Sequence, residues 1–172
     1  IPTLPSEFTS TKMLVIEAAR AVSNIETTLA TILSQMTELA TSLPEFSTVR
    51  AMSGIGDVLA PRIIAEIGDV RRFHNASALV ATAGIDPPPY DSGKFSGSNR
   101  KITKRGSASL RRTGYEIMQA LKIVQPKNDN AVYQYLIKKE SEGKPLKVAK
   151  IAALNKFLRI YYARVMEVYS NL

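Results

Sequence analysis

VRAMSGIGDVLAPRIIAEIGD, residues 49–69, is the stretch whose reading decides the fold. Phe46, Val49 and Met52 lie at helical spacing after Pro44, so a short helix leads into it. Ser53-Gly54-Ile55-Gly56 then breaks the pattern. Val58, Leu59, Ile63, Ile64 and Ile67 resume it, and Gly68-Asp69 ends it. The glycines allow a tight turn and Ile55 plugs the space between the two helices. Pro61 falls just inside the second helix, where we expect it to cost a hydrogen bond or add a kink.

Upstream, no Gly or Pro interrupts the chain between Thr9 or Ser10, candidate N-caps, and Pro44. Val15, Val22, Leu29, Met36 and Leu43 form one heptad position, and Ala18, Ile25, Ile32 and Leu39 the other. That pattern fits a coiled coil, although the flanking positions are mostly Ser, Thr and Ala. It equally fits one long helix packed on its own domain. The helix pair of residues 45–68 resembles the helix-hairpin-helix motif, whose turn amides approach a backbone phosphate. An ordinary helical hairpin would read the same way.

Downstream, Asn75 caps a helix expected through Ala81, with Gly84 as its stop. Asp86-Pro87-Pro88-Pro89-Tyr90-Asp91-Ser92-Gly93 reads as a stiff, extended approach. Lys94-Phe95 is expected to pair with Arg100-Lys101-Ile102-Thr103 around Ser96-Gly97-Ser98-Asn99. Three helices follow: one from Ser107 to about Val124, one from Asp129 through Glu142, and one from Pro145 toward Tyr169. The fold class is therefore mainly α. A long N-terminal helix, residues 1–44, joins a compact helical domain, residues 45–172, with a short hairpin insertion.

Charge is unevenly placed. The 172 residues carry 23 Lys+Arg and 15 Asp+Glu, a net +8. The first 48 residues hold two basic and five acidic side chains; the rest hold 21 and ten. Between Lys94 and Arg112 stand seven cations (Lys94, Arg100, Lys101, Lys104, Arg105, Arg111 and Arg112) and no acid. A charge run is often only a solvated face. The absence of interleaved acids and the Gly and Ser content of the 86–112 region fit a phosphate-facing surface better.

Much chemistry is excluded. With no cysteine there is no disulfide scaffold, zinc ribbon or thiol nucleophile. The lone His74 reads as a surface or capping residue. Gly93-Lys94-Phe95 lacks the spacing of a Walker loop, and no Gly-x-Ser-x-Gly elbow occurs. Asp57, Glu66, Asp69, Asp86, Asp91 and Glu116 are scattered and form no evident two-metal set, so no metal site is assigned in this chain. No apolar run approaches the roughly 20 residues that span a bilayer, and no signal peptide opens the chain, so no membrane partner is expected. The chain begins at Ile1 rather than Met, and we expect a fragment. Ser92 is the most suggestive single residue. A hydroxyl beside a cation cluster can attack a phosphodiester whose free oxygens those cations hold. The plain alternative is a turn at Asp91-Ser92.

The order of motifs is more specific than any one of them. Met52-Ser53-Gly54-Ile55-Gly56 comes first. Ala65-Glu66-Ile67-Gly68-Asp69-Val70-Arg71-Arg72-Phe73 and Ala83-Gly84-Ile85-Asp86-Pro87 follow. Asp91-Ser92-Gly93-Lys94, Ile102-Thr103-Lys104-Arg105-Gly106 and Leu110-Arg111-Arg112 complete the series. Over about residues 46–165 it resembles the C-terminal domain of the IS-one-ten/IS-one-sixteen transposases, described as bridge-RNA-guided recombinases. The resemblance implies a mobile-element transposase, working in the cytoplasm of a prokaryotic cell, that cleaves and transfers DNA strands. It implies a RuvC-like domain with an acidic Mg site beyond this chain, and a coiled coil joining the two domains of a homo-oligomer. The fragment alone would then be inactive. Ser92 maps onto the family's nucleophilic serine, with Ser96 and Ser98 as rivals. Lys94, Arg100, Lys101, Lys104, Arg105, Arg111 and Arg112, with Gly54 and Gly56, would contact DNA or guide RNA. A non-catalytic helix-hairpin-helix module that only positions DNA is the alternative.

Overall fold

A computed structural model describes residues 9–87, 91–92, 95–96 and 101–172. The order is α1 (Thr9–Thr41), α2 (Phe46–Arg50), α3 (Leu59–Ile67), a 3-10 turn (Val70–Arg72), α4 (Ala76–Ala83), β1 (Asp91–Ser92), β2 (Phe95–Ser96), α5 (Ala108–Val124), α6 (Ala131–Ser141) and α7 (Leu146–Ser170). The protein is mainly helical.

The core forms around α7. Its Leu154, Phe157, Leu158, Tyr161 and Val165 are almost wholly buried, against α2, α4, α5 and α6. Gly114 brings α5 close to α7: a Cβ there would lie 2.5 Å from Leu154 Cδ1. On α3, Ile63, Ile64 and Ile67 pack inward, with Ile55 of the preceding turn buried beside them. Gly54 sits at φ +88, and a Cβ there would meet the Ile117 carbonyl oxygen and Leu121 Cβ at 3.0 Å. Only glycine gives both that dihedral and that approach to α5.

Pro61 is the third residue of α3 and is buried. The first N–H groups of a helix have no intrahelical acceptor, so the expected lost bond or kink does not arise. Ser10 and Thr9 already belong to α1 rather than preceding it as caps. Asp129 does not start α6, which begins at Ala131 after Asn130. It adopts φ +46 and its carboxylate accepts from both Arg164 guanidinium nitrogens, at 2.5 and 2.9 Å, and from the Ser53 amide at 3.4 Å. The Arg164 hydrogen bond is the main cause that holds the Asp129 carboxyl below its ordinary pKa. This contact ties the Gly-Ile-Gly turn to α7 across the loop before α6.

Only the last turns of α1 pack on the domain, where Ala40 is buried against α2 and α3. The heptad positions further up are open: Val22 is 56% exposed, Ile25 60%, Leu29 52% and Ile32 46%. At its base, Glu45 is buried and accepts the Tyr169 hydroxyl at 2.7 Å.

Candidate nucleic-acid interface

The basic region is mounted on α4 and α5. Asn75 caps α4 by accepting the Ala78 amide, and Gly84 ends it in the left-handed conformation at φ +62. Ser107 caps α5 by accepting the Leu110 amide. Between these stops the chain leaves and returns, and its two legs are joined. Ser107 N donates to Thr82 O at 2.7 Å, Lys104 N to Gly84 O at 3.0 Å, and Thr103 N to Asp86 O at 3.0 Å. The Thr103 hydroxyl adds a 3.0 Å bond to the Asp86 carboxylate.

Two glycines make the crossing possible. A Cβ on Gly84 would lie 2.6 Å from Gly106 N, and a Cβ on Gly106 would collide with the Thr82 carbonyl oxygen. Arg111 reinforces the junction: its Nη1 donates to Ala83 O at 2.9 Å and Ser107 O at 3.4 Å.

This corrects the hairpin read from the sequence. Ile102-Thr103 belongs to the leg joined to residues 84–86 and does not pair with Phe95. Asp91 instead pairs with Ser96, and Ser92 with Phe95, as a two-stranded antiparallel unit. Ser92 therefore lies on a short strand within a loop closed at its base. Lys94, Arg100 and Ser98 lie outside the described residues, as do the side chains of Ser92 and Ser96.

Lys101, Lys104 and Arg105 are exposed on the return leg, with Lys104 at φ +55. Arg112 is exposed and its Nε donates to Glu116 at 3.1 Å; the same carboxylate takes Arg62 at 2.8 Å. Gly54 and Gly56 are not beside this region. Gly54 rests near Ile117 and Leu121, whereas the basic leg joins the other end of α5. Six to ten residues of α5, from Arg111 to Ile117 and Leu121, separate them by about 9–15 Å along the helix. The Gly-Ile-Gly turn lines a separate concavity of about 640 Å³. The amides of Gly56, Asp57 and Val58 have no acceptor among the described residues. Asp57 stands there too, paired to Arg50 at 2.5 Å, and that guanidinium's hydrogen bond keeps its carboxyl below the usual range.

Among the described residues no three His, Asp or Glu side chains converge on a metal-sized space. His74 is exposed. No described helix is long and apolar enough to cross a membrane. The last helix reads as a source of cations, Lys147 among them, but its meeting with the basic leg is not legible in the sequence. Lys147 of α7 shares a hollow of about 320 Å³ with Lys101 and Lys104. The available signal was that α7 holds no acid between Leu146 and Met166.

With this geometry in view, residues 47–134 match the family model described as the transposase IS116/IS110/IS902 family. The chain belongs to that family. It is 32% identical over 120 residues to the 42 kDa protein of insertion element IS900 of Mycobacterium paratuberculosis, covering 69% of this chain and 29% of the relative. It is also 32% identical over 96 residues to the 44.8 kDa protein of insertion element IS116 of Streptomyces clavuligerus, covering 55% and 23%. The chain thus spans less than a third of the length of either relative.

Proposed function

We propose that this chain is the C-terminal part of an insertion-element transposase and supplies the serine that cleaves and rejoins DNA. Membership of the transposase family carries the general reading. The loop carries the particular one: its legs are closed by Gly84 and Gly106, Ser92 sits on its strand pair, and Lys101, Lys104 and Arg105 crowd its return leg.

In this reading the cations hold the phosphate oxygens of the scissile strand, and the negative charge that grows on them in the transition state is stabilised by the same groups. Ser92 Oγ bonds to phosphorus as one deoxyribose oxygen leaves, and the serine's proton ends on that sugar hydroxyl. Attack of a sugar hydroxyl on the phosphoserine reverses the exchange and regenerates the serine. Energy is conserved as one phosphodiester is exchanged for another. Arg111 positions the loop through its carbonyl contacts. The Gly-Ile-Gly turn serves as a helix-hairpin-helix element with its free amides on a neighbouring phosphate, once Asp57 is neutralised by Arg50. Acidic residues of a RuvC-like domain outside this chain would hold a divalent metal such as Mg, which would supply Lewis-acid chemistry. Guide RNA is a partner of the whole protein, and a second copy of the chain covers the open seam of α1 as a coiled coil.

The test uses the longer transposase that contains this chain. Ser92→Ala is expected to abolish strand cleavage and keep DNA affinity within about two-fold, while Ser96→Ala and Ser98→Ala cleave normally. Cleavage retained by Ser92→Ala leaves the non-catalytic DNA-positioning module as the better account.

A further inference from the structure

The cations of this domain fall into two populations. Arg50, Arg62, Arg71, Arg112, Lys122 and Arg164 each lie within 3.1 Å of a carboxylate. Lys101, Lys104, Lys147, Lys156 and Arg159 have no carboxylate partner among the described residues. Other cations, Lys144 and Lys150 among them, also lack such a partner, but these five follow one another along a single track.

It starts at the hollow where Lys101 and Lys104 meet Lys147, over a floor of Ile102, Val148 and Ile151. It continues up α7, where Val148, Ala152, Asn155 and Arg159 recur at helical spacing and share one stripe. The eleven helical steps from Val148 to Arg159 rise about 16 Å. At the far end lies a second hollow of about 460 Å³, formed by Tyr135 of α6 with Ala152, Asn155, Lys156 and Arg159. The Lys156 and Lys139 ammonium groups lie over the Tyr135 ring, 5.1 and 5.3 Å from its centre. Lys139 is also paired to Glu142 at 2.7 Å. A base that stacks on the ring therefore takes the place of the Lys156 ammonium, which then meets its phosphate. Asn155 accepts Arg159 Nε at 2.9 Å, which orients that guanidinium.

Cations alone would suit any nucleic acid. The aromatic ring in a hollow and the aliphatic floor do not suit a duplex, whose bases are stacked inside. They suit an unpaired base whose face lies on an aromatic ring while flanking phosphates meet cations. We propose that this track binds single-stranded nucleic acid, with phosphates on Lys101, Lys104, Lys147, Lys156 and Arg159 and one base on Tyr135. At the 3.4 Å spacing of a stacked strand it holds about five nucleotides. The inference rests on the reading of the basic leg as a nucleic-acid surface, and it leads a strand from that leg onto α7.

The test measures binding of 12-nucleotide oligo(dT), oligo(U) and a 12-base-pair duplex to this chain between 50 and 200 mM salt. The triple variant Lys147→Gln/Lys156→Gln/Arg159→Gln is expected to weaken single-strand binding and flatten its logarithmic salt slope by about two. Tyr135→Ala should weaken it about ten-fold, and Tyr135→Phe less than two-fold. Duplex affinity should stay within two-fold for all three. Preference for oligo(U) assigns RNA to the track, and preference for oligo(dT) assigns DNA; both sustain the shared chemistry. Unchanged single-strand binding by the triple variant overturns the proposal. So does an equal loss for strand and duplex, which makes the track part of one duplex surface. A wild-type chain that binds duplex but no single strand overturns this inference alone, whereas binding of neither overturns the reading on which it rests. Circular dichroism of each variant confirms the fold, and Tyr135→Phe and the Gln variant keep the test open if Tyr135→Ala unfolds.

Discussion

Gly106→Ala tests whether the loop carrying Ser92 is closed at its base as described. The added methyl collides with the Thr82 carbonyl oxygen, and it would stand 2.5 Å from Gly84 N. Both obstacles are backbone, so no side-chain rotation relieves them. Gly106 does not have a positive φ, so the cost comes from contact and not from dihedral strain. The legs must separate, which strains or breaks the bonds from Ser107 N to Thr82 O and from Lys104 N to Gly84 O. Overpacking costs about 1–3 kcal/mol and each lost hydrogen bond about 1 kcal/mol. With one of the two bonds lost and the other strained, the expected loss is about 2–4 kcal/mol, which lowers Tm by roughly 5–15 °C in a chain of this size. Gly56→Ala is the control, because a Cβ there meets nothing within 4 Å; it should stay within about 0.5 kcal/mol. The assay is chemical denaturation followed by circular dichroism, with Tm from the thermal melt. If Gly106→Ala matches Gly56→Ala within about 0.5 kcal/mol, the crossing of the two legs is wrong.

Three further outcomes follow from the same geometry. Asp129→Asn should lower stability by about 1 kcal/mol or less near neutral pH. The Asp129 pKa is depressed in the folded state, so its contribution is present above the unfolded value near 4 and is lost as pH falls through the folded value; thermal melts at pH 6 and pH 3 should show the difference closing. Burial, with the Glu45 hydrogen bond, raises the Tyr169 hydroxyl to about 12. Its share of stability is therefore intact below pH 10 and declines between about 10 and 12, a decline that Tyr169→Phe should lessen in alkaline melts. Removing residues 1–32 should leave the Tm of the domain within a few degrees, because α1 packs only through its last turns, while light scattering shows a smaller assembly. An unchanged assembly contradicts the coiled-coil role of the seam.

Local signals in the sequence were dependable where their physics is local. Asn75 and Ser107 cap their helices, Gly84 and Gly54 take positive φ, and Ile55 is buried. Each needs only a few neighbouring residues. The errors came from partners distant in sequence. Asp129 reads as a helix cap until Arg164 and Ser53 approach it. Ile102-Thr103 reads as half of a hairpin, but the contact of Gly106 with Gly84 joins it to residues 84–86. Arg111 reads as a cation for nucleic acid, and a second, structural role, the bond of its guanidinium to the Ala83 carbonyl at the end of α4, is also invisible until the legs meet. For the candidate site, Ser92 and the cation run were visible, whereas the join of Lys101 and Lys104 to Lys147 exists only once α7 packs beside the loop.

The most direct measurement is the site of covalent attachment. The longer transposase is incubated with a cleavable DNA substrate, denatured, digested with protease and analysed by mass spectrometry. The expected product is a nucleotide joined through a phosphodiester to Ser92, with the adduct absent in Ser92→Ala. An adduct mapped to Ser96, Ser98 or another residue, or cleavage at full rate in Ser92→Ala, would contradict it.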